Sequence, residues 1–181
     1  YDEFQALEHL VMLDLDSGQY ASALGRAREL VVLGERFREG SEAPFARALV
    51  ALATTPGGSA AAQVELDREV EALTLADAKH RLAYVLSRAA WLDLAQVADS
   101  ANSARRAGAR AERALAVAQL LERTTEVALS RIVLGRLAAR AKDAASESVH
   151  RGALAEIDVG LVAVSVRGHL TEWLEAGEAA R

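Results

Sequence analysis

Apolar residues recur along the chain at spacings of three and four, the period of a helix face. Phe4, Leu7, Leu10, Val11 and Leu15 predict a first helix from about Asp2 to Asp16, ended by Ser17-Gly18. Asp2 and Glu3 stand where the positive end of its dipole favours acids. A second helix is expected from near Gln19 to about Arg38, with Ala23, Ala27, Leu30, Val31 and Phe37 facing inward. Gly40 can adopt the left-handed conformation that closes a helix, Ser41 can cap the next, and Pro44 fits its first turn. Helix three then runs from Glu42 to about Ala53 and stops at Thr54-Thr55-Pro56-Gly57-Gly58. Five more segments follow: 59–73, 77–95 capped by Asp77, 103–121, 124–141 capped by Thr124 or Thr125, and 144–157. A ninth is expected over 161–176, and the polar stretch 96–102 reads as a loop.

Laid over itself, the sequence repeats. Ser41-Glu42-Ala43-Pro44-Phe45-Ala46-Arg47 matches Thr125-Glu126-Val127-Ala128-Leu129-Ser130-Arg131, so that position 41 falls on position 125. Met12-Leu13-Asp14-Leu15 matches Trp91-Leu92-Asp93-Leu94 in a slightly shorter register, with position 12 on position 91. The slip between the two registers falls in the polar stretch after Leu94, where an insertion costs little loop entropy. A duplicated four-helix unit fits both, with about 42 residues per helix pair, within the range of helical solenoid repeats.

Composition narrows the class. Of 181 residues, 51% are hydrophobic but only 4% aromatic, so the apolar content is nearly all Ala, Leu and Val. Ala and Leu are strong helix formers, and two prolines do not supply the turns of a β-sandwich. A net charge of −5 argues against a dedicated nucleic-acid binder. The chain has no cysteine, which excludes disulfides, thiol catalysis and cysteine-ligated zinc. No apolar run approaches a membrane span. Tyr1-Asp2-Glu3-Phe4 has the look of a first helical turn, not of a signal peptide, and the missing initiator Met implies a fragment of a longer protein.

Gly18-Gln19-Tyr20-Ala21-Ser22-Ala23-Leu24 resembles the centre of a tetratricopeptide repeat. That family has Gly, an aromatic two residues on, and Ala-Leu three further. Gly18 permits the tight turn, Tyr20 fills the wedge between helices, and Ala23 lets the backbones approach. Asp14 stands where the family prefers Tyr, no Pro closes the repeat, and Val97 replaces the turn glycine in the third pair. The long period is more similar to the helical repeats behind the ATPase module of large bacterial signalling proteins. Those include ATP-dependent transcriptional regulators and ATPases fused to nucleotide cyclases. The resemblance implies a right-handed all-α solenoid of about four antiparallel helix pairs plus a C-terminal helix. It would form one domain over 1–181, with units near 2–40, 41–75, 77–122 and 124–157 and a terminal helix over 161–177.

Candidate chemistry is sparse. His9, His80, His150 and His169 have no partner at ligand spacing, so no metal or cofactor site is expected. The acid pairs Asp14/Asp16, Asp67/Glu69 and Glu172/Glu175 read as solvated helix surface. Gly57-Gly58 lacks the Lys-Ser/Thr of a phosphate loop, and no nucleophile elbow occurs. Gly34, Gly108, Gly135 and Gly152 fall inside helices and are expected to serve close packing. Tyr84, Trp91 and Trp173 are expected in the core, and Arg105, Arg106 and Arg110 form a basic surface cluster.

The arginines are the most informative polar residues. Arg47 and Arg131 occupy the same repeat position on the first helix of a pair, the side that lines the groove of a tetratricopeptide-like stack. Arg81 and Arg88 share one helix face, as do Arg136 and Arg140. A guanidinium grips carboxylates with two parallel hydrogen bonds. The expected function is therefore a non-catalytic protein-interaction or regulatory module of a larger cytoplasmic bacterial signalling or transcription-regulating protein. Its groove would carry Arg47, Arg81, Arg88, Arg131 and Arg136. Expected partners are a protein or peptide, or other domains of the same chain, and not nucleic acid or membrane. The apolar residues of the first helix point to a preceding repeat or a second copy packing there. The rival is a helical enzyme or small-ligand bundle with a pocket assembled from residues distant in sequence.

Overall fold

In the computed structural model, which describes residues 1–37, 40–97 and 101–179 (side chains to residue 176), the described residues form helices and no strand. The helices are α1 (Asp2–Asp16), α2 (Tyr20–Gly34), α3 (Glu42–Thr54), α4 (Ala60–Leu75), α5 (Lys79–Ala95), α6 (Ala101–Leu120), α7 (Thr124–Arg140), α8 (Ala144–Ala155) and α9 (Val164–Ala179). Short 3-10 turns at Thr55–Gly57 and Val159–Leu161 precede α4 and α9. The chain divides into two compact units, Tyr1–Val85 and Leu86–Arg181, and the division falls inside α5.

In the first unit α1 packs on α2, α2 on α3 and α3 on α4, with α1 also touching α3. Alanines make the close approaches: Ala23, Ala27, Ala46 and Ala48 are fully buried beside Phe4, Leu30, Phe45 and Leu49. In the second unit α6 packs on α7, α7 on α8, and α9 on both α7 and α8. One core cluster joins Ala90 and Leu94 of α5 to Ala107, Ala111 and Val133. Another joins Ala128, Leu129, Ile132 and Leu154 to Val162, Val166, Leu170 and Trp173, so α9 covers the end of the unit.

Buried positions repeat in the registers seen in the sequence. On α2 the buried residues are Ala23, Ala27, Leu30 and Gly34; in the longer register they fall on Ala107, Ala111, Ala114 and Ala118, the alanines that α6 buries. In the shorter register Val11, Asp14 and Leu15 of α1 fall on Ala90, Asp93 and Leu94 of α5, and all of these are buried. The start of α4 repeats at α8: the Ser59 side chain accepts from Ala62 N–H at 3.2 Å, and Asp143 accepts from Ser146 N–H at 3.1 Å.

Four helix ends share one closure. Gln19 N–H reaches back to Asp14 C=O, Ala78 to Leu73, Arg123 to Ala118 and Asp143 to Ala138, at 2.8–3.0 Å. This six-to-one bond needs a left-handed residue just before it. Gly18 supplies it at φ 72°, while Asp77, Glu122 and Lys142 do so at 50°, 53° and 58°. Asp77 is therefore the closing residue of α4, not the cap of α5.

Other boundaries differ for local reasons. The second helix stops at Gly34, where a Cβ would meet the Ala43 backbone at 3.1 Å; its expected end at position 38 lies outside the described residues. Ser41 precedes α3 but makes no side-chain cap, because its hydroxyl accepts from Arg81 at 2.6 Å. Thr125 does not cap α7, as its hydroxyl takes the Ala163 N–H at 2.9 Å. Of the expected loop over 96–102, Ala101 and Asn102 are helical and 98–100 lie outside the described residues.

Candidate interaction surface

The polar framework has to be separated from polar groups left for a partner. Asp14 is buried at the end of α1, where it accepts from Ser22 Oγ at 2.7 Å and pairs with Arg26. The Ser22 hydrogen bond, with help from Arg26, holds its carboxyl below the usual carboxylate range. Asp93 is fully buried at the end of α5 and is gripped by Arg106 Nη2 at 3.1 Å and Arg110 Nη1 at 2.7 Å. Glu69 is 1% exposed and accepts from Arg47 Nε at 3.0 Å and Arg68 Nη2 at 2.7 Å.

These ties correct three surface readings. Asp14 and Glu69 are buried, and so is Arg110 of the presumed basic cluster. The signal was present in the spacing. Position 14 shares a helical face with Val11 and Leu15, and position 69 with Leu66, Val70 and Leu73. An acid on an apolar face is tolerated only when a partner meets it, and an arginine on the neighbouring helix does so in each case.

Of the five arginines expected in a groove, Arg81, Arg88 and Arg136 are paired with carboxylates of their own unit, and Arg47 is paired through one atom. Arg81 lies between Glu8 at 3.0 Å and Glu42 at 3.1 Å, with its guanidinium over the rings of Phe4 and Phe45. Burial works against its charge, but the two carboxylates prevail and raise its pKa. Arg88 is buried and pairs with Glu126 at 3.2 Å, a carboxylate shared with Arg123. Arg136 pairs with Glu172 at 3.3 Å and lies over Trp91 and Trp173, 5.1 and 6.0 Å from the ring centroids.

Arg47 and Arg131 differ from these. Arg47 spends only its Nε on Glu69, and its side chain is 32% exposed. It lines an open depression of about 250 Å³ with Arg28, Val31, Val50 and Glu65. Arg131 is half-buried on α7 and has no ion-pair partner among the described residues. It is near enough to His150 to act on that ring's charge.

The remaining candidates resolve simply. Tyr84 and Trp173 are buried, Trp91 is half-buried against His169 at 4.4 Å, and His9 is exposed with Nδ1 2.7 Å from Gln5 C=O. Burial lowers the pKa of His150 and His169, reinforced by Arg131 and Arg136 respectively. Gly34 and Gly135 do sit in close packing, but a Cβ at Gly108 would touch only Leu137 at 3.7 Å and one at Gly152 would meet nothing. No group of three metal-ligating side chains occurs among the described residues, and no described helix is long and apolar enough to cross a membrane. The chain matches no family model, no curated protein and no solved structure.

Proposed function

We propose that this chain is a non-catalytic protein-interaction or regulatory module, built as a tetratricopeptide-like right-handed solenoid of antiparallel helix pairs. We place it within a larger cytoplasmic bacterial signalling or transcription-regulating protein. One observation carries this reading: buried positions of α2 and α3 recur on α6 and α7 in the register that sets position 41 on position 125, while several polar residues around them change. In that register the exposed Arg28 becomes Glu112 and the partly exposed Glu65 becomes Val149. A framework that repeats while its surface chemistry diverges is what stacked helical repeats use to present an extended docking face.

We assign Arg131 and Arg47 to that face: Arg131 has no carboxylate among the described residues, and Arg47 gives only its Nε to Glu69 and keeps its side chain 32% exposed. The test pairs Arg28→Glu, exposed on the depression that Arg47 lines, with Arg131→Glu; neither takes a partner from buried Glu69. A protein recovered from the native host is purified and rebound to wild type and variants. Loss of binding with unchanged melting supports the reading; equal binding by both variants removes these residues from the interface. Scattering from the isolated chain tests the architecture, because a solenoid gives a longer maximum dimension than a globule of the same mass.

A further inference from the structure

Arg47 and Arg131 are the same residue of the repeat, yet only one has a carboxylate. In the first unit Arg47 Nε donates to Glu69 at 3.0 Å, and Glu69 is 1% exposed. In the second unit the same register replaces Glu69 by Ala153, which is only half-buried. Ser59 and Asp143 cap α4 and α8 at matching positions, so Glu69 and Ala153 lie equally far into their helices. In the second unit the repeat thus puts Ala153 where the counterpart of Arg131 has its carboxylate.

Two further changes mark the same spot. Leu66, fully buried in the first unit, corresponds to His150, whose buried Nδ1 has no hydrogen-bond partner. A buried ring nitrogen without a partner is costly and calls for explanation. Glu65 corresponds to Val149, which is 65% exposed on the outer side of α8. The charged groups acting on His150 are Arg131 from α7 and Glu112 from α6, and a Cβ added at Gly135 would touch both His150 Cβ and Trp173 of α9.

We propose that the position vacated at Ala153 is a docking site for an acidic side chain of a partner protein, gripped by Arg131 and adjoining His150. The carboxylate supplies what Glu69 supplies to Arg47, and its charge lies beside the His150 ring. An aliphatic residue beside it on the partner covers Val149. A free anion at so open a place would bind weakly, whereas a protein segment adds apolar contact. This inference rests on the interaction reading for its partner but on the repeat comparison for its site.

The probe is acetate, titrated into the full chain at constant ionic strength against chloride, with nuclear magnetic resonance read at Arg131 Nε–H and the His150 ring. Saturable acetate-specific shifts at both residues, with a rise in the His150 pKa, are expected. Ala153→Glu fills the site from within and abolishes the response. Arg131→Gln leaves α8 untouched and weakens acetate about tenfold, the worth of one charged hydrogen bond. Shifts reproduced by chloride, or unchanged in Arg131→Gln, overturn the proposal. Because acetate reads the site without a partner, failure here leaves the interaction reading standing, and loss of that reading leaves an acetate result intact.

Discussion

Asp14 and Asp93 occupy one structural role: each is a buried carboxylate in the last turn of a helix, held by an arginine of the next. The acids align in the shorter sequence register, whereas their arginines, Arg26 and Arg110, align in the longer one. The slip therefore lies between acid and base and leaves the pair intact. An insertion that spares a buried ion pair sits in a connection, not in the framework.

The two pairs should differ in worth. Asp93 is fully buried and the Arg110 side chain is 8% exposed, so Asp93→Ala breaks a buried ion pair and should cost about 3–5 kcal/mol. The Arg26 side chain is 41% exposed and can return to water, so Asp14→Ala should cost less than Asp93→Ala. Urea unfolding of both variants measures the difference, and equal losses would contradict this ranking.

Glu122 and Lys142 hold left-handed backbone at helix ends, where a side chain is disfavoured. Lys142→Gly should raise stability by about 1 kcal/mol, while Gly18→Ala at the equivalent closure should lower it by a similar amount. Thermal melts of the two variants should move in opposite directions. A destabilised Lys142→Gly would mean that the lysine side chain does more than close the turn.

Glycines inside helices separate by what surrounds them. Gly152 faces open space, so Gly152→Ala should stabilise by about 0.4–1 kcal/mol through the unfolded chain. Gly135 lies where a Cβ would meet Trp173 Cζ2 at 3.0 Å, so Gly135→Ala should destabilise by about 1–3 kcal/mol. Comparing denaturation midpoints of the pair decides whether Gly135 is there to admit the indole.

Helix positions were legible because Ala, Leu and Val keep a helical period almost throughout, and the Thr54 to Gly58 and Ser17-Gly18 breaks are unmistakable. Left-handed closures at Asp77, Glu122 and Lys142 were not, since acids and lysine carry no left-handed preference of glycine's strength. Leu10 shows the limit of a face drawn from hydrophobicity alone. It is 45% exposed, while Asp14 takes the inward place. Which arginines were occupied was hidden for a related reason: Arg81 meets Glu8, 73 positions away, and no local spacing announces that contact.

The two lowered histidines fix the sign of a pH effect in the second unit. Burial, and after it Arg131 for His150 and Arg136 for His169, depress the folded pKa below the ordinary 6.5. Above that value both folded and unfolded chains hold neutral imidazole, and the histidines contribute no slope. As pH falls below about 6.5 the unfolded chain takes up protons that the folded chain resists. Stability should therefore decline from neutrality toward pH 5.5, a window in which Asp14 and Asp143, with lowered pKa values, stay ionised. His150→Leu restores the residue found at the same repeat position, Leu66, and should flatten part of that decline without loss at pH 7.5. Urea midpoints at pH 7.5 and 5.5, with the His150 ring titrated by nuclear magnetic resonance, give the answer. A ring titrating at or above 6.5, or an undiminished decline in His150→Leu, would show that burial beside Arg131 does not govern this residue.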